Sequence, residues 1–327
     1  MGEFELLARV RERLSPPGSR VRIGSGDDAA VTLPGGATAT SVDAVVEGVH
    51  FRRGQATLAQ IGRKALASAL SDLAAMGAEA GEAYVVLGVP PDLDEEGCLE
   101  LLDGLLDLAA TTGTTLAGGD VSRAPALTLA VTVVGHAPSP ERLIGRGGAR
   151  PGDVLVLSGE LGGAAAGLLL LEHPQLGDSL SHRGAAHLRA RQLEPTPRLA
   201  TGRALAATGA RALIDLSDGL AGDARHLAAA SGVRLEIDAA ALPLAAGLAE
   251  LATAAGRDPL ELAAGGGEDY ELLAALPPEC LDAASGAVAA TGETTLTAIG
   301  CARAGAGVEI RRPGGGTLTV AGYDQLR

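Results

Sequence analysis

The stretch LIDLSDGLAGDARHLAAA, residues 213–230, reads as a strand that runs straight into a helix, with Asp215, Ser217 and Asp218 at the junction. The same alternation extends outward in both directions. Downstream, residues 233–237, 270–276, 294–299 and 308–310 have strand character. Upstream lies a strand at 154–157, followed by helices of small and charged residues. The N-terminal half begins with an amphipathic helix at 3–14, broken by the prolines and glycine of 15–18. Strand-like spacing at 38–51 follows, then a helical period at 57–76 that ends on Gly77. Residues 84–89 form a strand and 95–110 a helix. Two strands, 114–116 and 127–134, flank what reads as a turn at Gly118-Gly119-Asp120. Strands alternating with helices in both halves give a mixed α/β protein. Prolines and glycines crowd the segment between His136 and Asp153, which marks a domain boundary.

Composition narrows the function. The 327 residues carry 26 basic and 40 acidic side chains, a net charge of −14, which repels nucleic-acid phosphates and anionic membranes. Tryptophan is absent and aromatics are 2% of the chain, so stacking platforms for single-stranded nucleic acid are excluded. The three cysteines are odd in number and widely spaced, which fits a reducing cytoplasm and no disulfide framework. The apolar run 161–171 contains three glycines and falls far short of the ~20 residues of a membrane span. The expectation is a cytoplasmic protein with no nucleic-acid or membrane partner.

Five segments place aspartate beside glycine or serine: GSGDDAAV (Asp27, Asp28), SVDAVVEGVHF (Asp43), LSDLAAMGA (Asp72), AGGDVSR (Asp120) and IDLSDGL (Asp215, Asp218). Glycine lets backbone approach a ligand closely, and carboxylates are the hard oxygen donors magnesium prefers. Brought to one cleft, they suit metal-bridged nucleotide phosphates. Any single such segment is more often a turn or a cap, and Asp223 and Asp238 read as surface or cap residues. Asp72 differs, because it lies in a strongly apolar helical stretch. Lys64, the only lysine, shares a helix face with Ser68 and Asp72, and reads equally as a solvated residue or as a partner for phosphate or Asp72. The P-loop, protein-kinase and HExxH patterns are absent. LSGELGG at 157–163 reads as tight strand–helix packing, and His50 alone reads as structural.

Together, GEFELLARV, GSGDDAAV, SVDAVVEGVHF, LSDLAAMGA, GGDVSR, RPGDVLVLSG, EPTPR, IDLSDGLAGD, GGGEDYEL and GYD resemble, in order and over nearly the whole chain, the thiamine-monophosphate kinase family of the aminoimidazole ribonucleotide synthetase-like superfamily. The resemblance implies a two-domain α/β (mixed α+β) fold: an N-terminal ATP- and magnesium-binding domain, 1–137, whose sheet forms a β-barrel across a homodimer, and a C-terminal α/β domain, 138–327. It implies ATP-dependent phosphorylation of thiamine phosphate to thiamine diphosphate by direct transfer, with several Mg2+ ions. Carried over by motif, Asp28, Ser41, Asp43, Asp72, Asp120, Asp215 and Asp218 would hold magnesium. Gly119, Asp120, Arg146 and Ser217 would meet ATP, and His50, Glu268 and Tyr323 thiamine phosphate. The acceptor is already an anion, so no general base is assigned. Where the family commonly has Thr-Asp-Thr, this chain has Val42-Asp43-Ala44, without either hydroxyl. The alternatives are another superfamily ATP-dependent enzyme acting on a ribonucleotide, and a non-catalytic ATP- and magnesium-binding regulator. A reactive cysteine near the start, as in selenophosphate synthetase, or at the end, as in the hydrogenase-maturation dehydratase, does not match: the first cysteine is Cys98 and the sequence closes on GYDQLR.

Overall fold

The computed structural model describes residues 3–14, 16, 18–24, 30–33 and 35–323; Asp27 and Asp28 lie outside them. The chain divides into two compact units, Met1–Leu73 with Ala78–Pro140, and Ala74–Gly77 with Glu141–Arg327.

The first unit holds α1 (Glu3–Arg13), a short pair β1 (Val21–Ile23) and β2 (Val31–Thr32), then β3 (Ala37–Val46), α2 (Leu58–Ala75), β4 (Glu79–Val89), α3 (Glu95–Thr112), β5 (Thr115–Arg123) and β6 (Thr128–Ala137). Its main sheet runs β3-β6-β4-β5, parallel only between β4 and β5, which α3 connects as a crossover. The two-residue period of β3 sorts its faces. Ser41, Asp43 and Val45 turn inward, and their β6 partners Val133, Val131 and Leu129 are fully buried. Leu66, Leu70 and Leu73 of α2 are buried as well. The opposite face stays open: Val42 is 65% and Val86 47% exposed. Helices α2 and α3 meet backbone to backbone. A Cβ on Gly62 would lie 2.0 Å from the Leu101 carbonyl, and one on Gly104 1.8 Å from that of Ala59, so only glycine permits this approach.

Gly118-Gly119-Asp120 is not a turn. It lies inside β5, paired with Tyr84, Val85 and Val86 of β4. A Cβ on Gly119 would stand 2.0 Å from the Val85 carbonyl, so the glycine serves close strand pairing where a turn was expected.

The second unit has a six-stranded sheet ordered β12 (Gly307–Arg311), β9 (Arg234–Asp238), β11 (Leu296–Arg303), β7 (Val154–Ser158), β10 (Leu272–Leu276), β8 (Ala212–Asp215). Only β12–β9 is parallel. The helices are α4 (Gly163–Glu172), α5 (His182–Leu193), α6 (Leu199–Ala207), α7 (Leu220–Ser231), α8 (Leu248–Ala254), α9 (Pro259–Gly265) and α10 (Leu281–Thr291). Strands β7, β8 and β10 are buried almost end to end, and a core of leucine, alanine, isoleucine and valine joins them to α4, α7, α8 and α9. Among the described residues, no helix is long and apolar enough to cross a membrane.

Candidate active site

In the first unit, Ser41 and Asp43 on β3 face Ser68 and Asp72 on α2. The Ser41 hydroxyl donates to Asp72 Oδ2, and Ser68 hydrogen-bonds Asp43. Burial, and then the charge of Asp72, push the Asp43 carboxyl up, against the pull of Ser68. Two carboxylates held this way, with hydroxyls among them, are a hard-oxygen set that a divalent cation would relieve. Lys64 and Ser68, successive on the face that ends at Asp72, are each 4% exposed, so Lys64 is not a solvated surface residue. Farther along, the Val46 N–H donates to His50 Nδ1 at 3.1 Å, so the neutral His50 ring carries its proton on Nε2. Asp120 sits at the far edge of the sheet on β5, exposed, with Ser122 Oγ donating to it at 3.0 Å. Strand order puts two strands, β6 and β4, between Asp120 and Asp43, so the chain does not bring them together within this unit.

The second unit gathers a separate group where β8 enters α7. Asp215, 3% exposed, ends β8. Ser217 and Asp218 follow, and Gly219 turns the chain with φ 101° and ψ 153°. The Gly265-Gly266-Gly267 run packs directly on this turn. A Cβ on Gly219 would lie 2.7 Å from the Gly266 carbonyl, and one on Gly267 2.5 Å from that of Ser217. This approach lets Glu268 N–H donate to the Ser217 carbonyl (2.8 Å) and Tyr270 N–H to that of Leu216 (2.9 Å). From the C-terminal segment, Tyr323 N–H donates to the Asp218 carbonyl at 2.9 Å, and Gly322 lies against Gly222 of α7. Asp215, Ser217, Asp218, Glu268 and Tyr323 therefore share one corner. The exposed Arg146 is near enough to act electrostatically on Asp223 in the same corner.

Asp223 belongs to this corner and not to the surface. It is 3% exposed, and its Oδ2 accepts the Asp218 N–H at 3.1 Å. Burial first, then the charges of Asp215 and Asp218, push its carboxyl up to about 8. An aspartate in the first turn of a helix ordinarily signals a cap, which hid it in the sequence. Its spacing from Asp218 was the available signal. Asp238, by contrast, is an exposed cap, accepting the Ala240 N–H at 2.9 Å.

Glu268 and Tyr270 hold φ of +66° and +50°, a left-handed conformation that costs a non-glycine residue ~1–3 kcal/mol. Between them, Asp269 accepts from Gly162 N (2.7 Å) and Ala164 N (3.1 Å) at the start of α4. The chain's own carboxylate thus fills the anion-favouring end of that helix, which confirms LSGELGG as packing and not a phosphate loop.

Among the described residues, no three His, Cys, Asp or Glu side chains form a metal cage by themselves. In chemistry, paired carboxylates and a hydroxyl in one unit and three carboxylates in the other fit magnesium sharing its shell with phosphate oxygens.

Residues 26–137 match the family described as AIR synthase related protein, N-terminal domain, and residues 150–312 match its C-terminal domain. A thiamine-monophosphate kinase of Mycobacterium tuberculosis is 40% identical over 277 residues, covering 84% of this chain and 80% of that protein. The crystal structure of thiamine-monophosphate kinase from Stenotrophomonas maltophilia K279a superposes with a TM-score of 0.81 at 36% identity, covering 94% of each chain. AaThiL complexed with AMPPCP and TMP superposes with a TM-score of 0.78 at 31% identity, covering 98% of this chain and 96% of that one. By sequence and by structure, the chain belongs to the thiamine-monophosphate kinase family.

Proposed function

We infer that this protein catalyses ATP-dependent phosphorylation of thiamine phosphate to thiamine diphosphate. Within the geometry, the reading rests on one observation: in each unit, a carboxyl at least half-buried is pushed up by neighbouring carboxylates, Asp43 by Asp72 and Asp223 by Asp215 and Asp218. Such sets call for an added positive charge, which a metal-bound polyphosphate chemistry provides. Magnesium would be held by Asp43, Asp72 and Ser41, and by Asp215 and Asp218, with Asp28 and Asp120 as further carboxylates; when bound it supplies charge neutralisation for phosphate oxygens.

The chain's own residues position the reactants. Gly119 and Asp120 offer backbone and carboxylate to ATP, Ser217 a hydroxyl, and Arg146 a planar fork suited to phosphate oxygens. His50, with its Nε2–H as donor, suits the acceptor's phosphate, while the Glu268 carboxylate suits its amine or cationic part. Tyr323 offers an aromatic face from the C-terminal segment. The acceptor oxygen is an anion at neutral pH, so no residue needs to remove a proton.

The same reading assigns residues 1–137 to ATP, magnesium and dimerisation, and 138–327 to the C-terminal domain. The open apolar face around Val42 and Val86 supports a homodimer whose sheets close into a barrel. Three free cysteines support a cytoplasmic setting.

The test is ADP release by purified protein given ATP and magnesium, with and without thiamine phosphate, with thiamine diphosphate identified by chromatography. Acceptor-dependent ADP and the diphosphate product are expected, abolished by a chelator and restored by magnesium. ATP binding without product would favour a non-catalytic regulator.

A further inference from the structure

Helix α5 lies unusually close to α4. A Cβ on Gly163 would stand 2.9 Å from Arg191 Cγ, and one on Gly167 would stand 2.1 Å from the Leu188 carbonyl and 2.8 Å from Gln192 Cβ. The close approach delivers two neighbouring side chains to the segment 268–271. Arg191 Nη2 donates to the carbonyls of Glu160 (3.2 Å) and Asp269 (3.1 Å) and to Glu271 Oε1 (3.0 Å). Gln192, 4% exposed, donates through Nε2 to Glu268 Oε2 at 2.6 Å.

That second contact acts on a strained residue. Glu268 sits at φ +66°, and its backbone N–H is committed to Ser217. A non-glycine residue keeps a left-handed backbone only when its surroundings hold it there. A buried amide donor fixes the direction of the carboxylate it bonds without bringing a charge of its own. We propose that Gln192 is a positioning and specificity residue: it aims the Glu268 carboxylate at the amine-bearing, cationic part of the phosphate acceptor. The proposal rests on the reading of Glu268 as an acceptor-binding group.

The experiment compares steady-state kinetics of Gln192→Ala, Gln192→Glu, Glu268→Gln and the double variant Q192A/E268Q, varying ATP and thiamine phosphate separately. Melting temperature is measured on each. Losing a hydrogen bond to a charged group corresponds to a rise in acceptor KM of roughly tenfold or more. Q192A is expected to show that rise, with the KM for ATP within about twofold of wild type. The double variant is expected to match E268Q alone, because the two changes act on one group. Q192E keeps the side-chain volume but replaces the donor with a carboxyl that repels Glu268, so it too should raise the acceptor KM and serves where Q192A folds poorly.

If E268Q leaves the acceptor KM unchanged, the reading of Glu268 fails and Gln192 has nothing to aim. If E268Q raises it while both Gln192 variants do not, the reading stands and the positioning role is overturned. Equal rises in both KM values with a lowered melting temperature would make Gln192 structural only, and would equally overturn the proposal.

Discussion

Gly219→Ala tests the architecture of the aspartate corner most directly. Gly219 holds φ 101° and ψ 153°, a region that an L side chain enters only with strain of ~1–3 kcal/mol. A Cβ there also lies 2.7 Å from the Gly266 carbonyl and 3.0 Å from the Gly265 carbonyl carbon, and both are backbone atoms that cannot swing aside. Overpacking of this kind costs another ~1–3 kcal/mol. The variant should therefore lose roughly 2–6 kcal/mol. For a unit of this size, at roughly 2–4 °C per kcal/mol, that corresponds to a fall in melting temperature of roughly 4–24 °C. Gly286→Ala is the control of opposite sign. Gly286 is exposed within α10 and has nothing within 4 Å of its would-be Cβ, so alanine should stabilise by ~0.5–1 kcal/mol. Both variants are read by calorimetry, with turnover measured alongside. Because Asp218 precedes the turn and Gly266-Gly267 carry Glu268, G219A should lose activity at temperatures where it remains folded. A G219A protein melting within about 1 °C of wild type with unchanged kinetics would refute the claim that close backbone approach builds this corner.

Glu271 is fully buried and accepts from Arg198 Nε (2.8 Å) and Nη2 (2.5 Å), Arg191 (3.0 Å) and Ser158 (2.6 Å); Arg198→Ala should therefore destabilise by ~3–5 kcal/mol in chemical denaturation, and a loss under ~1 kcal/mol would contradict it. Burial, helped by Asp94 and Glu95, pushes the Cys98 thiol up to about 11, so a thiol reagent at neutral pH should label half-buried Cys280 and Cys301 first and Cys98 only on unfolding. Burial also pushes Asp269 up to about 6, against the pull of Arg191 and two backbone N–H groups. The folded state therefore binds more protons than the unfolded one between pH ~4 and ~6, and this group's contribution falls as pH rises through that window. The stability difference between wild type and Asp269→Asn should accordingly shrink by roughly 2 kcal/mol from pH 4 to 7; a difference flat in pH would contradict the assignment.

Much of this was legible in the residues because local signals and tertiary demands agree. The junction at 213–230 is such a case: apolar strand, Ser-Asp-Gly break and helical period all point one way, and the structure places β8 and α7 there. The helix face of Lys64, Ser68 and Asp72 follows from 3.6-residue geometry alone. What escaped depends on chain far away in sequence. Gly118-Gly119-Asp120 has the composition of a turn, yet its glycine answers to the carbonyl of Val85 on a neighbouring strand. Asp223 has the position of a cap, yet it is buried in a corner where Gly322 meets Gly222 and Gly266 meets Gly219. Gln192 carries no local signal, since its partner Glu268 is 76 residues away. The missing hydroxyls at Val42 and Ala44 also gain a meaning from strand alternation. Both residues lie on the face opposite Ser41 and Asp43, so the departure from the family pattern alters the open surface and leaves the inward carboxylate set intact.

That open surface bears on how the protein lives in a cell. The exposed valines lie on a sheet whose outer strands, β3 and β5, each have a single sheet neighbour among the described residues. Bare, such a surface invites unspecific association. Covered by a second copy, it makes folding stability a function of abundance, because dimerisation enters the balance by mass action. Each tenfold dilution would then remove about 1.4 kcal/mol per dimer, so a scarce copy of this enzyme would spend more of its time open to proteases than a plentiful one.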